Sequence, residues 1–102
     1  MSILHTVNKS PFEKTTLQSC LDHAAPGDAV LLIEDGVYAA LSQTSASERI
    51  AARMNEISFY ALGPDLLARG VANGSVTEGV KVVDYDGFVD LVTEHGIAQA
   101  WL

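Results

Sequence analysis

Short apolar runs alternate along this chain with segments whose apolar residues recur at helical spacing. Five runs of four to six residues are rich in apolar or β-branched side chains and too short for helices, which predicts strands. The predicted strands are residues 3–7, 29–33, 57–62, 80–83 and 98–102. The run 29–33 is apolar at every position, which is typical of a strand covered on both faces.

The segment after the first strand carries the clearest helix pattern. Residues 10–13 read Ser-Pro-Phe-Glu, a capping box with proline at the first helical position, so a helix is predicted to begin at Pro11. Leu17, Cys20, Leu21 and Ala24 follow at helical spacing, with Leu17, Leu21 and Ala24 expected to face inward, before Pro26-Gly27-Asp28 ends the pattern.

Weaker patterns divide the remainder of the chain. One helical turn is predicted at 37–41, helices at 45–55 and 66–69, and a surface loop at 72–79. Asp84-Tyr85-Asp86-Gly87 is expected to be a turn before a last helix that runs from Phe88 to His95. Within 45–55, Ile50 is expected to face inward and Arg53 outward.

Strands that alternate with helices predict an α/β fold. Right-handed crossovers make successive strands parallel, so we expect a three-layer α/β/α sandwich with a mostly parallel five-stranded sheet of flavodoxin-like architecture. The length of 102 residues matches one domain over 1–102, since domains commonly run to about 100–150 residues.

Composition narrows the class of protein. The chain is 48% hydrophobic, which excludes disorder, yet its longest apolar run falls far short of the roughly 20 residues that cross a bilayer. A net charge of −7 without a basic cluster disfavours direct binding of nucleic acid or of an anionic membrane. Because the N-terminus lacks the pattern of a signal peptide and there is one cysteine, a cytoplasmic protein is expected.

Ligand sites in parallel sheets lie beyond the carboxyl ends of the strands. Here that rim is acidic, and it gathers Asn8, Lys9, Ser10, Glu34, Asp35, Asp65, Asp84 and Asp86. Carboxylates there disfavour nucleotides, and no glycine-rich phosphate motif or Gly-x-Ser-x-Gly nucleophile motif occurs. The carboxylates have two interpretations: helix caps and turns, or a small-molecule or cation-binding module.

Cys20 is the remaining reactive group. It is expected at the border of the buried stripe, three residues before His23, whose imidazole can raise the thiolate fraction of a neighbouring thiol. The other interpretation is a packed, inert cysteine, which residue chemistry by itself favours. No histidine or cysteine pair has metal-ligand spacing, so neither a metal nor a cofactor is expected.

Several stretches together resemble the DsrH/TusB family of sulfur-relay subunits. They span nearly the whole chain in order: LHTVNKSPF (4–12), LLIEDGVYAA (31–40), ALGPDLLARG (61–70), VDYDGFVDL (83–91) and QAWL (99–102). The resemblance implies a DsrE-like fold and a cytoplasmic hexamer with DsrE/TusD-like and DsrF/TusC-like subunits. Such a complex passes persulfide sulfur to a DsrC/TusE-type acceptor, in sulfur oxidation or in tRNA 2-thiouridine synthesis, and this chain is not expected to be an enzyme by itself.

The resemblance leaves two hypotheses for the chain's role. Cys20 matches a cysteine position typical of the DsrH branch and often missing from TusB proteins, which implies that the chain is closer to DsrH. It could then be a persulfide carrier with His23 as a neighbour. In the family, however, the principal acceptor cysteine belongs to the DsrE/TusD partner. The second hypothesis is therefore a structural subunit that completes the partner's site, with Cys20 packed.

The C-terminal strand predicts membership of an assembly. Residues 98–102 are uncharged and include Trp101, with no polar tail beyond them. An exposed apolar strand at a sheet edge is usually covered, and large aromatic residues are enriched at interfaces. We expect partner subunits to provide that cover.

Overall fold

Five parallel strands form one sheet in the computed structural model, which describes residues 2–102. The strands are β1 (Ile3–Val7), β2 (Ala29–Leu32), β3 (Ser58–Leu62), β4 (Lys81–Val83) and β5 (Ile97–Trp101). Their order across the sheet is β4-β3-β2-β1-β5, and every neighbouring pair is parallel. The predicted α/β class and parallel sheet are confirmed, with strand ends shifted by one residue in most cases.

Four α-helices and two 3₁₀ segments connect these strands in the described part of the chain. The helices are α1 (Thr16–His23), α2 (Ser45–Ala51), α3 (Gly63–Ala68) and α4 (Tyr85–His95). The 3₁₀ segments are Glu34–Ala40 and Asn73–Ser75. No helix within residues 2–102 has the length and apolar character needed to cross a membrane.

The strand order determines which helix lies on which face. From β1 to β4 the strands advance in one direction, and β5 then returns to the other side of β1, so right-handed crossovers place α4 opposite the other helices. The larger core cluster accordingly contains Leu17, Ile50 and Leu66 from α1, α2 and α3, whereas Leu91 of α4 belongs to the other. All four residues of β2 are buried, which confirms that this strand is covered on both faces.

The first helix begins later than predicted. Instead of capping a helix at Pro11, Ser10 closes a separate turn: its carbonyl accepts from the backbone N–H groups of Glu13 and Lys14 at 3.2 and 3.0 Å. Its hydroxyl accepts from the N–H of Phe12 at 3.2 Å. The turn does not continue into the helix, and α1 starts at Thr16. The predicted inward residues of this helix are all buried, which confirms its orientation.

Two further predictions are wrong in detail. α4 begins at Tyr85 rather than Phe88, because the Asp84 carboxylate accepts from the N–H of Gly87 at 2.8 Å and caps the helix. Arg53 does not point freely outward. Its guanidinium donates to the carbonyls of Leu21 and Ala24 at 2.7 and 3.0 Å, so it binds the otherwise unpaired C-terminal end of α1.

Gly36 allows the 3₁₀ segment to pack against the end of β1. The Ile33 N–H donates to the Val7 carbonyl at 3.0 Å, and Gly36 N–H donates to the Ile33 carbonyl at 2.8 Å. A Cβ atom at Gly36 would overlap the backbone carbonyl of Val7, which cannot move without breaking this contact. The close approach therefore requires glycine.

We predict that Gly36→Ala lowers the free energy of unfolding by at least about 3 kcal/mol, because backbone must shift to admit the methyl group. Gly74→Ala is the matched control, since its added Cβ meets nothing within 4 Å. The control is expected to remain within about 0.5 kcal/mol of the wild type. Chemical denaturation measures both, and equal destabilisation of the two variants would contradict this account of Gly36.

Candidate functional site

Cys20 lies in the core rather than at the border of the buried stripe. Its residue is 0% exposed, and its backbone carbonyl accepts the N–H of Ala24 at 2.9 Å as part of α1. The larger core cluster surrounds it, and Trp101 of β5 packs against that cluster from the edge of the sheet. The helical angle placed Cys20 at the border of the apolar face, but the core cluster that includes Cys20 extends to Trp101 of a distant strand.

The environment of Cys20 opposes ionisation of its thiol. Burial, together with the nearby negative charge of Asp28, raises the pKa of Cys20 from 9.0 to about 12. A thiol in that environment is protonated at neutral pH. Since the thiolate is the nucleophile, this environment does not favour reaction at Cys20.

His23 is placed close to Cys20 in sequence but binds other groups. Its Nδ1 lies 2.8 Å from the carbonyl oxygen of Ser19, to which it donates. Its ring centroid is 5.3 Å from that of Trp101, in a tilted arrangement. Within residues 2–102, no hydrogen bond joins His23 to the thiol, so the geometry does not form the predicted thiol–imidazole pair.

A buried chain of hydrogen bonds lies beneath α1, and no sequence pattern indicated it. The Nε1–H group of Trp101 donates to Nδ1 of His5 at 3.0 Å, and Nε2 of His5 lies 2.8 Å from Oδ2 of Asp28. Because an indole N–H can only donate, Nδ1 of His5 must be the acceptor and Nε2 must carry the hydrogen. The arrangement therefore fixes a neutral His5 that donates to Asp28.

Asp28 accepts more than this one bond. The backbone N–H of Ile3 donates to Oδ1 at 2.9 Å, and the N–H of Ala25 donates to Oδ2 at 3.0 Å. Burial would raise the pKa of Asp28, but the bonds from Ala25, His5 and Ile3 outweigh it and hold that pKa below the ordinary 3.8. The ionised carboxylate thus ties together β1, the loop before β2 and, through His5, the edge strand β5.

The acidic rim is linked by hydrogen bonds within the chain. The backbone N–H of Glu34 donates to Asp65 at 2.7 Å, and the Asn8 side chain donates to Glu34 at 3.3 Å. Arg69, which the sequence analysis did not single out, donates to Asp35 at 2.9 Å. These contacts match the capping and turn roles of the rim carboxylates, and no group of three metal-binding side chains occurs in residues 2–102.

An open depression lies at the carboxyl ends of β3 and β4. It has a volume of 460 Å³ and is lined by Gly63, Pro64, Val82, Val83, Asp84 and Gly87. Asp84, the one ionisable residue in this lining, already caps α4. The depression offers an apolar surface with no cationic group, which gives little support to a small-molecule site.

Comparison with known proteins identifies the family. The model of the family described as "DsrH like protein" matches residues 9–97. TusB of Pectobacterium parmentieri is 36% identical over 99 residues, which cover 97% of this chain and 100% of the relative. This chain belongs to the DsrH/TusB family. TusB of Escherichia coli K12 is also 36% identical, over 97% of this chain and 100% of its own length.

A solved structure shares the fold of this chain. The solved structure of the ychN protein from Escherichia coli superposes with a TM-score of 0.86 over 99% of both chains, at 12% sequence identity. Of the buried hydrogen-bonded residues, Asp28 lies within the DsrH match, whereas His5 and Trp101 fall outside it. The resemblance to the DsrH/TusB family seen in the sequence is confirmed.

We predict that Asp28→Asn destabilises this DsrH/TusB-family chain by about 1–3 kcal/mol at neutral pH. Oδ2 accepts from both His5 and Ala25, and an amide nitrogen in that place would face two donors while an amide oxygen would lose the charge. Denaturation at pH 7 measures the loss. Asp90→Asn is the control, because Asp90 is exposed on α4.

The same bonds predict a dependence of stability on pH. Because folding lowers the pKa of Asp28, its contribution to stability is complete above its unfolded pKa, near 3.8, and is lost as pH falls through the folded pKa. The wild type is expected to lose more stability than Asp28→Asn as the pH is lowered from about 5 toward 2. Parallel stability curves for the two proteins would contradict the role assigned to Asp28.

Proposed function

We propose that this chain is a structural subunit of a cytoplasmic sulfur-relay assembly, in which a DsrE/TusD-like partner provides the cysteine that carries persulfide sulfur. Membership of the DsrH/TusB family supports the relay role. Full-length similarity to TusB proteins supports tRNA 2-thiouridine synthesis as its destination rather than sulfur oxidation. The onward acceptor is then a protein of the DsrC/TusE type, and the companion subunits are DsrE/TusD-like and DsrF/TusC-like chains of a hexamer.

The burial of Cys20 and the raised pKa of its thiol are the main support for this proposal. In a relay step, a thiolate attacks the outer sulfur of a persulfide, a new sulfur–sulfur bond forms, and the donor leaves as a thiolate with no net oxidation. The attacking group must therefore be ionised and in contact with the donor. Cys20 meets neither condition, since it is 0% exposed and its pKa is about 12.

The carrier role of Cys20 stays a prediction, and it requires the buried thiol to become accessible to a sulfur donor. For a donor to reach the thiol, α1 must separate from the sheet and from Trp101, which packs against the cluster around Cys20. Arg53 opposes this separation because it binds two carbonyls at the end of α1. Such a separation of α1 from the sheet should be looked for in the assembly with partner subunits.

We predict that the native assembly adds no sulfur to Cys20. The chain, purified with its co-expressed DsrE/TusD-like and DsrF/TusC-like partners, is incubated with inorganic polysulfide and analysed by intact-mass spectrometry. The partner cysteine is expected to gain one sulfur atom while this chain does not. The same chain treated in denaturant, where the thiol is free, serves as the positive control.

Cys20 variants provide the second arm of this test. Cys20→Ala removes one buried atom and is expected to lower stability by about 1 kcal/mol while transfer by the assembly stays within about twofold of wild type. Cys20→Ser keeps the side chain's shape but buries a hydroxyl group, so thermal unfolding of both variants verifies that each is folded. A one-sulfur adduct on native wild-type chain, together with lost transfer in both variants, would establish the carrier role instead.

A further inference from the structure

The exposed surface of α4 is divided into an apolar row and an acidic row. Tyr85, Val89 and Val92 are 60%, 63% and 39% exposed and recur at helical spacing, so they line one side of the helix. The acidic row consists of Asp86, Asp90 and Glu94, all exposed and four residues apart. Leu91 is buried and lies between the two rows, on the face of α4 that packs on the sheet.

The apolar row lies on the side of α4 that faces β5. A helix in a right-handed crossover runs antiparallel to its strands, and residues about 100° beyond its inward face then point toward β1 and β5. Ala98 and Ala100 of β5 are exposed, and they pair in register with Leu4 and Thr6. Since Leu4 packs under α4, the two alanines point to the same side of the sheet. The apolar surface therefore continues from the helix onto the strand.

The outer edge of β5 has none of the usual protection. Within residues 2–102, β5 pairs only with β1, which leaves its other edge without a strand. Ile97–Trp101 contains neither a charged residue nor proline, the residues with which edge strands commonly prevent pairing with other chains. The indole of Trp101 packs inward against His5 and His23, so the predicted interface role of this strand rests on its backbone edge and its alanines rather than on Trp101.

The acidic row has no cationic partner in the described chain. Like charges four residues apart destabilise a helix, and no lysine, arginine or histidine of residues 2–102 forms a salt bridge with Asp86, Asp90 or Glu94. A second copy would bring the same acidic row and a net charge of −7. Charge complementarity instead favours an occupant with lysine or arginine side chains beside its apolar surface.

We infer that the apolar row of α4 and the adjoining strand β5 form the docking surface for a different subunit of the relay assembly. That subunit presents an apolar surface, and its basic side chains face Asp86, Asp90 and Glu94. This inference rests on the proposed function for the existence of the partner. The position of the surface and the charge of the occupant come from α4 and β5 themselves.

The experiment compares two substitutions to aspartate on opposite faces of the sheet. Val89→Asp places a charge in the apolar row, and Leu67→Asp changes an 81% exposed leucine of α3 on the other face. Each variant is co-expressed with the DsrE/TusD-like and DsrF/TusC-like subunits, and affinity is measured by surface plasmon resonance. Val89→Asp is expected to weaken binding at least about tenfold, and Leu67→Asp to remain within about twofold.

A second pair tests the charge of the partner. Asp90→Lys reverses one charge of the acidic row, and Asp22→Lys makes the same change at an exposed position of α1. At low salt, Asp90→Lys is expected to bind several-fold more weakly than wild type, with a smaller salt dependence, whereas Asp22→Lys is not. All four sites are exposed, and thermal unfolding of each variant verifies that it is folded.

Each alternative outcome identifies a different error. If the assembly forms and Val89→Asp binds as tightly as wild type, the docking surface is wrong and the proposed function survives. If the isolated wild type self-associates and Val89→Asp makes it monomeric, the occupant is a second copy and the inference of a different subunit fails. If the wild type binds neither companion, the proposed function and this inference fail together.

Discussion

The buried carboxylate of Asp28 is the interaction on which the arrangement of this chain depends. It receives hydrogen bonds from the start of β1, from the loop after α1 and from His5, whose other ring nitrogen accepts from Trp101. Among the described residues 2–102, β5 has one neighbouring strand, so this side-chain link adds to its ladder with β1. Ionised buried groups are tolerated when they are fully hydrogen-bonded, and Asp28 meets that condition.

The same carboxylate also favours the protonated form of the Cys20 thiol. Together with burial, its negative charge raises the pKa of the Cys20 thiol to about 12. Through His5, it also positions the indole of Trp101 beside α1. A single arrangement thus stabilises the fold and disfavours the thiolate form of Cys20. This environment is the reason for the proposal that sulfur chemistry takes place on a partner subunit.

The strand order makes the two faces of the sheet unequal. Three helices and a 3₁₀ segment pack on one face, whereas α4 by itself covers the other. One helix cannot span five strands, so the alanines of β5 remain exposed beside the apolar row of α4. The unequal cover of the two faces accounts for the apolar surface that α4 and β5 leave exposed.

The sequence by itself determined the class of fold, the approximate strands and the inward residues of α1, because hydrophobic periodicity is a local property of the chain. Motifs spread along its length also determined the family. Tertiary structure decided where α1 starts and that Arg53 binds its C-terminal end. It also decided that Cys20 is buried in a cluster against which Trp101 packs. His5 and Trp101 lie 96 residues apart and meet only because β5 pairs with β1 in one register. Local patterns carry no information on which strands become neighbours. The strand order determined the buried hydrogen bonds, the protonated state favoured for the Cys20 thiol and the exposed side of α4.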